Sequence, residues 1–272
     1  MAEQNEISIN QWLDNLMARG AYGFSKGALQ NEIPNYSDIA IKRALSRLST
    51  KGKIISLYKG YYLLIPPQYT SKGILPPALY LDAFMKHLQR PYYVALLNAA
   101  AFHGASHQQP QEYFVVTGFP VLRPTLKRGL KVNYISVKAM PETLIEKRKT
   151  EAGYLNISNA ALTACDLVQF EKRIGGLNRA ATVLNELSEV IKPSDFSDNL
   201  LKHSSITALQ RLGYLLETAC FNQELADSLY ESMVRGKLKF FRIPLKAAKE
   251  TKGHSSDNRW KVIVNTEIEV DE

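Results

Sequence analysis

The chain reads as an α+β protein in two parts, and three observations predict it. Residues 37–50 place Ile41, Ala44, Leu45 and Leu48 at i, i+3, i+4 and i+7, on one face of a helix. Lys42, Arg43, Ser46 and Arg47 fall on the opposite side. Residues 53–65 then read as a short hairpin, with apolar and aromatic runs on either side of a turn at Tyr58-Lys59-Gly60. Beyond residue 78, helical and strand patterns follow one another without regular alternation, which favours α+β over a doubly wound parallel sheet. A basic helix followed at once by a basic-tipped hairpin is the second half of a winged helix-turn-helix. The predicted fold is an N-terminal winged helix-turn-helix followed by a larger mixed α+β C-terminal domain.

Ile9, Trp12, Leu13 and Leu16 form an apolar stripe on a first helix that ends near Gly20. Ser25 has the character of an N-cap for a short second helix, with Ala28, Leu29 and Ile33 expected to face inward. Pro34 stops that helix and Ser37 caps the next. Three helices and a wing in about 65 residues suffice for a small independent core.

Charge gives this unit its functional reading. Between Asn35 and Gly60, six Lys or Arg face a single acid, Asp38, for +5 of the chain's net +8. A solvated helix face can look the same. Here the charge coincides with helix, turn and hairpin in the order that double-stranded DNA recognition requires. The candidate DNA-binding residues are Ser37, Lys42, Arg43, Ser46, Arg47, Lys51, Tyr58 and Lys59. Arg43 and Arg47 suit base edges, because a guanidinium pairs bidentately with guanine. Lys42, Lys51 and Lys59 suit phosphates, as does the Tyr58 hydroxyl at the wing tip.

At 272 residues the chain accommodates two domains. Pro66-Pro67, Ser71, Gly73 and Pro76-Pro77 mark a boundary, giving a DNA-binding domain at 1–68, a linker at 69–78 and a C-terminal domain at 79–272. The N-terminus is polar, with no apolar signal-peptide core. The longest apolar run, 94–102, contains Asn98 and falls short of the ~20 residues that span a bilayer. Cys165 and Cys220 fit neither a CxxC motif nor a disulfide framework, and read as buried free thiols. A cytoplasmic protein without a membrane segment is expected.

In the second part, residues 79–88 and 92–103 read as helices, the latter apolar nearly all round and therefore buried. Gln108, Gln109 and Pro110 form a loop. Strands are expected at 113–117, 130–137 and 154–157, then a helix capped by Ser158 or Asn159 and running to about Phe170. Helices follow at 177–191, 205–218 and 222–234, and strands at 238–243 and 260–270. Residues 235–261 hold nine Lys or Arg against Glu250 and Asp257, a second basic cluster that is either a binding surface or a charged loop.

Catalytic motifs are missing: there is no phosphate-binding glycine loop, no GxGxxG after a strand and no GxSxG elbow. His103 and His107 stand four apart, but Gly104 between them ends the helix, so loop histidines fit better than a metal pair. Cys165 has the surroundings of a core residue, and Asp166 is either buried and hydrogen-bonded or half exposed. The chain reads as a non-enzyme, with no cofactor, metal or catalytic residue expected.

The segment PYYVALLNAAAFHGASHQQPQEYFVVT, residues 91–117, resembles the central signature of AbiEi-type antitoxins of bacterial type IV toxin–antitoxin and abortive-infection systems. The wing KGYYLLIPPQY, the helix ALTACDLVQF and the ending RWKVIVNTEIEVDE resemble the same family. The resemblance implies autoregulation: a winged helix that binds inverted repeats in its own promoter and represses it. It also implies a C-terminal domain that opposes a nucleotidyltransferase-like toxin without a stable complex, as part of phage defence. No coiled-coil seam is present, so a monomer or weak dimer that assembles cooperatively on DNA is expected. The alternative is a winged-helix regulator whose C-terminal domain senses a ligand.

Overall fold

The computed structural model describes residues 7–105 and 110–270. The N-terminal unit runs α1 (Ile9–Ala18), β1 (Gly23–Ser25), α2 (Lys26–Glu32), α3 (Asp38–Thr50), β2 (Ile54–Tyr58) and β3 (Tyr61–Leu64). Each helix begins on a serine whose hydroxyl takes a backbone N–H of the first turn. Ser8 Oγ accepts from Gln11, Ser25 Oγ from Ala28 and Ser37 Oγ from Ala40, at 3.3, 3.0 and 3.2 Å. The strands form an antiparallel sheet in the order β1-β3-β2. Trp12, Leu13, Phe24, Leu29, Ile41, Leu45 and Ile54 fill the core between helices and sheet. Ala28, expected inside, is exposed. Leu29 and Ile33 define the buried face of α2 at i and i+4, and Ala28 lies a quarter-turn off it.

The larger part continues with α4 (Leu81–His87), β4 (Tyr92–Val94), α5 (Leu96–Phe102), β5 (Glu112–Gly118), β6 (Thr125–Lys127) and β7 (Leu130–Val137). Then come β8 (Ile145–Thr150), β9 (Gly153–Ser158), α6 (Ala160–Gln169), α7 (Leu177–Leu187), α8 (Asp198–His203), α9 (Ile206–Thr218) and α10 (Gln223–Arg235). A two-residue parallel pair, β10 (Ile243–Pro244) and β11 (Val262–Ile263), ends it. The main sheet has six strands in the order β6-β7-β5-β4-β9-β8, and is parallel where β5 meets β7 and β4 meets β9.

Residues 92–103, read from sequence as one helix, divide into β4 and α5. An apolar run carries no period of its own, so strand and helix are equally compatible with it. The strand alternates: Tyr92 and Val94 face one core while Tyr93 and Ala95 face the other. The predicted tail strands shrink to β10 and β11, because side chains rather than a ladder hold residues 236–270. Trp260 is fully buried against Gly213 of α9, and its indole N–H donates to Glu217 at 2.6 Å. The Gln210 amide donates to the carbonyls of Phe241 and Trp260. Arg259 bridges Glu217 and Asp227 and stacks over Tyr230.

The cores are stacked in layers. The helices α5 and α6 lie on one face of the large sheet, with α7, α9 and α10 packed beyond them, and Phe114, Val116 and Ile135 belong to the core that they share. Its other face, through Val115, Val132, Tyr134, Leu155 and Ile157, meets α4 and the far side of the small N-terminal sheet. Leu57, Tyr61, Leu63 and Ile65 supply that far side, while Ile54 and Leu64 point back into the N-terminal core. Ile74 and Leu75, in the stretch expected to be a linker, are buried in the same middle layer.

Candidate nucleic-acid interface

The geometry of α3 follows from its sequence. Ile41, Ala44, Leu45 and Leu48 are buried, and Lys42, Arg43, Ser46 and Arg47 are exposed on the outer face. Ser37 is exposed, but its hydroxyl is taken up by the N-cap bond to Ala40. Lys51 is the exposed C-cap, its N–H donating to the Arg47 carbonyl at 3.0 Å. Gly52 follows at φ +69, a left-handed position that turns the chain into β2.

The cations differ in availability. Lys42 pairs with Asp38 at 2.8 Å, one turn back on the same helix, and Asp38 also holds Lys26 of α2. Those two ammonium groups keep the Asp38 carboxyl below its ordinary range. Arg43 and Arg47 have no ion-pair partner among the described residues. At the hairpin tip Lys59 is exposed, followed by Gly60 at φ +75. Tyr58 is 43% exposed and lays its ring edge-on to Phe84 of α4, with centroids 5.8 Å apart.

Two members of this surface escaped the sequence reading. Lys26 lies outside the basic window, yet its backbone N–H donates to the Gly60 carbonyl at 2.8 Å and its side chain reaches Asp38. It thereby ties the tip of the hairpin to α2 and α3. Ile39 is 62% exposed near the start of α3, with Arg43 one turn further on. An isoleucine on a polar helix face was a visible signal that the charge count passed over.

The other residues singled out from sequence lie elsewhere. His103 ends α5; its Nε2 is 2.8 Å from the Ser158 carbonyl and its Nδ1 is 3.3 Å from the Arg148 guanidinium. With Arg148 donating to Nδ1, the Nε2–H donates to Ser158, and the ring fastens α5 to β9. His107, Gln108 and Gln109 lie outside the described residues. Cys165 is buried, and burial pushes its thiol up to about 12, which leaves it without thiolate reactivity near neutral pH. Asp166 is also buried, with Tyr93 donating to it at 3.1 Å. In the second basic cluster Arg259 is engaged by Glu217 and Asp227, while Lys249 donates to Thr266. Among the described residues no group of three His, Cys, Asp or Glu is placed to hold a metal, and no helix is long and apolar enough to cross a membrane.

Among solved structures, the chain is similar to the RV2827C protein from Mycobacterium tuberculosis. The TM-score is 0.65 at 17% identity, covering 93% of this chain and 90% of that one, a likeness of fold that includes the N-terminal unit. No curated protein sequence matches the chain. A family model described as the AbiEi antitoxin C-terminal domain matches residues 93–218, from within β4 to the end of α9. Residues 93–218 thus carry the AbiEi antitoxin C-terminal domain.

Proposed function

We propose that residues 1–68 work as a winged helix-turn-helix that binds inverted repeats in the promoter of the protein's own operon and represses it. In this reading the remainder opposes a cognate nucleotidyltransferase-like toxin. The observation that carries the DNA reading is the division of α3: one face is buried, and Arg43 and Arg47 stand exposed and without ion-pair partners on the other. A helix of this kind fits the B-DNA major groove, where a guanidinium pairs bidentately with guanine O6 and N7. Lys51 and Lys59, exposed at the end of α3 and at the hairpin tip, would meet phosphates. Lys42 contributes less, since Asp38 already neutralises it.

A gel-shift titration on operon promoter DNA and on a scrambled duplex tests this. Arg43→Ala should lose about 1–3 kcal/mol on the promoter and much less on the scrambled DNA. Lys59→Ala should weaken both equally and lower the salt slope by about one. Equal losses on both duplexes for Arg43→Ala would remove its base-reading role. Co-expression with the neighbouring toxin gene tests the second half: growth rescue by the wild type and by Arg43→Ala alike would separate antitoxicity from repression.

A further inference from the structure

Behind residues 72–78, where the chain passes from the small sheet to the large one, lies a cavity of about 620 Å³. That volume is within the ~300–1,000 Å³ typical of small-molecule sites. Pro77, Phe102, Tyr113 and Leu130 give it apolar walls, and no acidic residue lines it among the described residues. Lys72 and Arg128 lie among its lining residues; both are exposed, and neither has an ion-pair partner among the described residues. The amide of Asn98, also in the lining, is taken up by the Phe114 N–H and the Glu112 carbonyl. The cations are therefore the cavity's available charged donors.

Arg128 is held there against its own backbone preference. It occupies the first position of the two-residue turn between β6 and β7, at φ +48, followed by Gly129 at φ +82. Two consecutive positive φ values make a turn that favours Asn, Asp or Gly at the first position, and an arginine there carries strain. The turn sets the Arg128 side chain beside Gly73, where an added Cβ would meet Nε at 3.6 Å. Gly73, itself at φ +62, leaves room for the guanidinium to lie along the chain that covers the cavity.

We propose that this cavity binds a small amphipathic anion. Its apolar body would lie against Phe102, Tyr113 and Leu130, and its carboxylate or phosphate head would be taken bidentately by Arg128 with Lys72 beside it. The proposal is independent of the DNA reading, because no residue of α3 takes part.

The test is calorimetric titration of the full chain with decanoate, decyl phosphate and 1-decanol, each below its aggregation threshold. The wild type should bind one or both anions at least tenfold more tightly than decanol, and the tighter of the two identifies the head group. Arg128→Gly suits the turn, so its Tm should be at or above that of the wild type. Its preference for the anions over decanol should fall below threefold. Ala101→Trp, at an exposed lining position, fills the cavity and should abolish binding of all three probes. Absence of heat with every probe on the wild type overturns the proposal, as does an undiminished anion preference in Arg128→Gly. Should Ala101→Trp fail to fold, Arg128→Gly alone still decides.

Discussion

Asparagine in place of Asp166 removes an ionisable group whose charged form the core disfavours. Asp166 on α6 is 4% exposed, and Tyr93 donates to it at 3.1 Å. Burial raises its carboxyl to about 7, with the Tyr93 hydrogen bond pulling the other way. An unfolded aspartate titrates near ~3.9. Between those two values the native chain keeps a proton that the unfolded chain has released. The stability contributed by the protonated form is thus complete below pH ~4 and lost as pH rises through ~7. A shift of roughly three units amounts to about 4 kcal/mol over the whole range, and roughly 2–3 kcal/mol of it falls between pH 5 and 8.

Asparagine keeps the size and an acceptor for Tyr93, and does not titrate. Urea unfolding of wild type and Asp166→Asn across pH 5–8 gives the difference directly, since every other titrating group is common to both. The variant should gain roughly 2–3 kcal/mol on the wild type between the two ends. Parallel curves, differing by a constant at every pH, would refute the buried neutral carboxyl.

Gly213→Ala should destabilise the protein by about 3 kcal/mol or more in the same unfolding assay. Its new Cβ would overlap the buried Trp260 ring and displace the indole from Glu217. On the proposed DNA reading, Asp38→Asn should tighten binding to specific and scrambled duplexes alike in gel shifts, because it releases Lys26 and Lys42 and removes a negative charge beside them. Ile39→Ser should reduce discrimination at an A·T position by about 1 kcal/mol or more, readable as a flattened preference in a mutated-operator series, if its exposed side chain meets a thymine methyl.

The elements that the sequence disclosed are those whose pattern has a period and a cap. In α3, Ser37 at the cap and Ile41, Ala44, Leu45 and Leu48 on one face mark the helix fully. β7 was equally plain, an eight-residue run bounded by Gly129 on one side and Lys138 on the other. β4 was hidden, because Tyr92, Tyr93 and Val94 sit between two apolar layers and alternate between equals. β8 was hidden for the opposite reason: IEKRKT is an edge strand whose charges keep it from pairing further, and charge of that density resembles a loop. The tail could not be read locally at all, since Trp260 depends on the missing side chain of Gly213 47 residues earlier. Of the candidate interface, the exposed arginines were legible. Lys26 was not, because its role depends on how α2 meets α3.

The middle layer also decides how this protein can be divided. The seam between its halves runs between the facing sides of two β-sheets, not through the proline-rich stretch where composition changes. A fragment ending at residue 68 would keep its inner core but present Leu57, Tyr61, Leu63 and Ile65 to water as an oily outer wall, and the larger piece would bare the matching side of its own sheet. Truncation is therefore a poor tool for separating the proposed repression from the proposed antitoxicity. Point changes on the outer face of α3 leave the shared wall intact, and are the way to silence one activity while the other is measured.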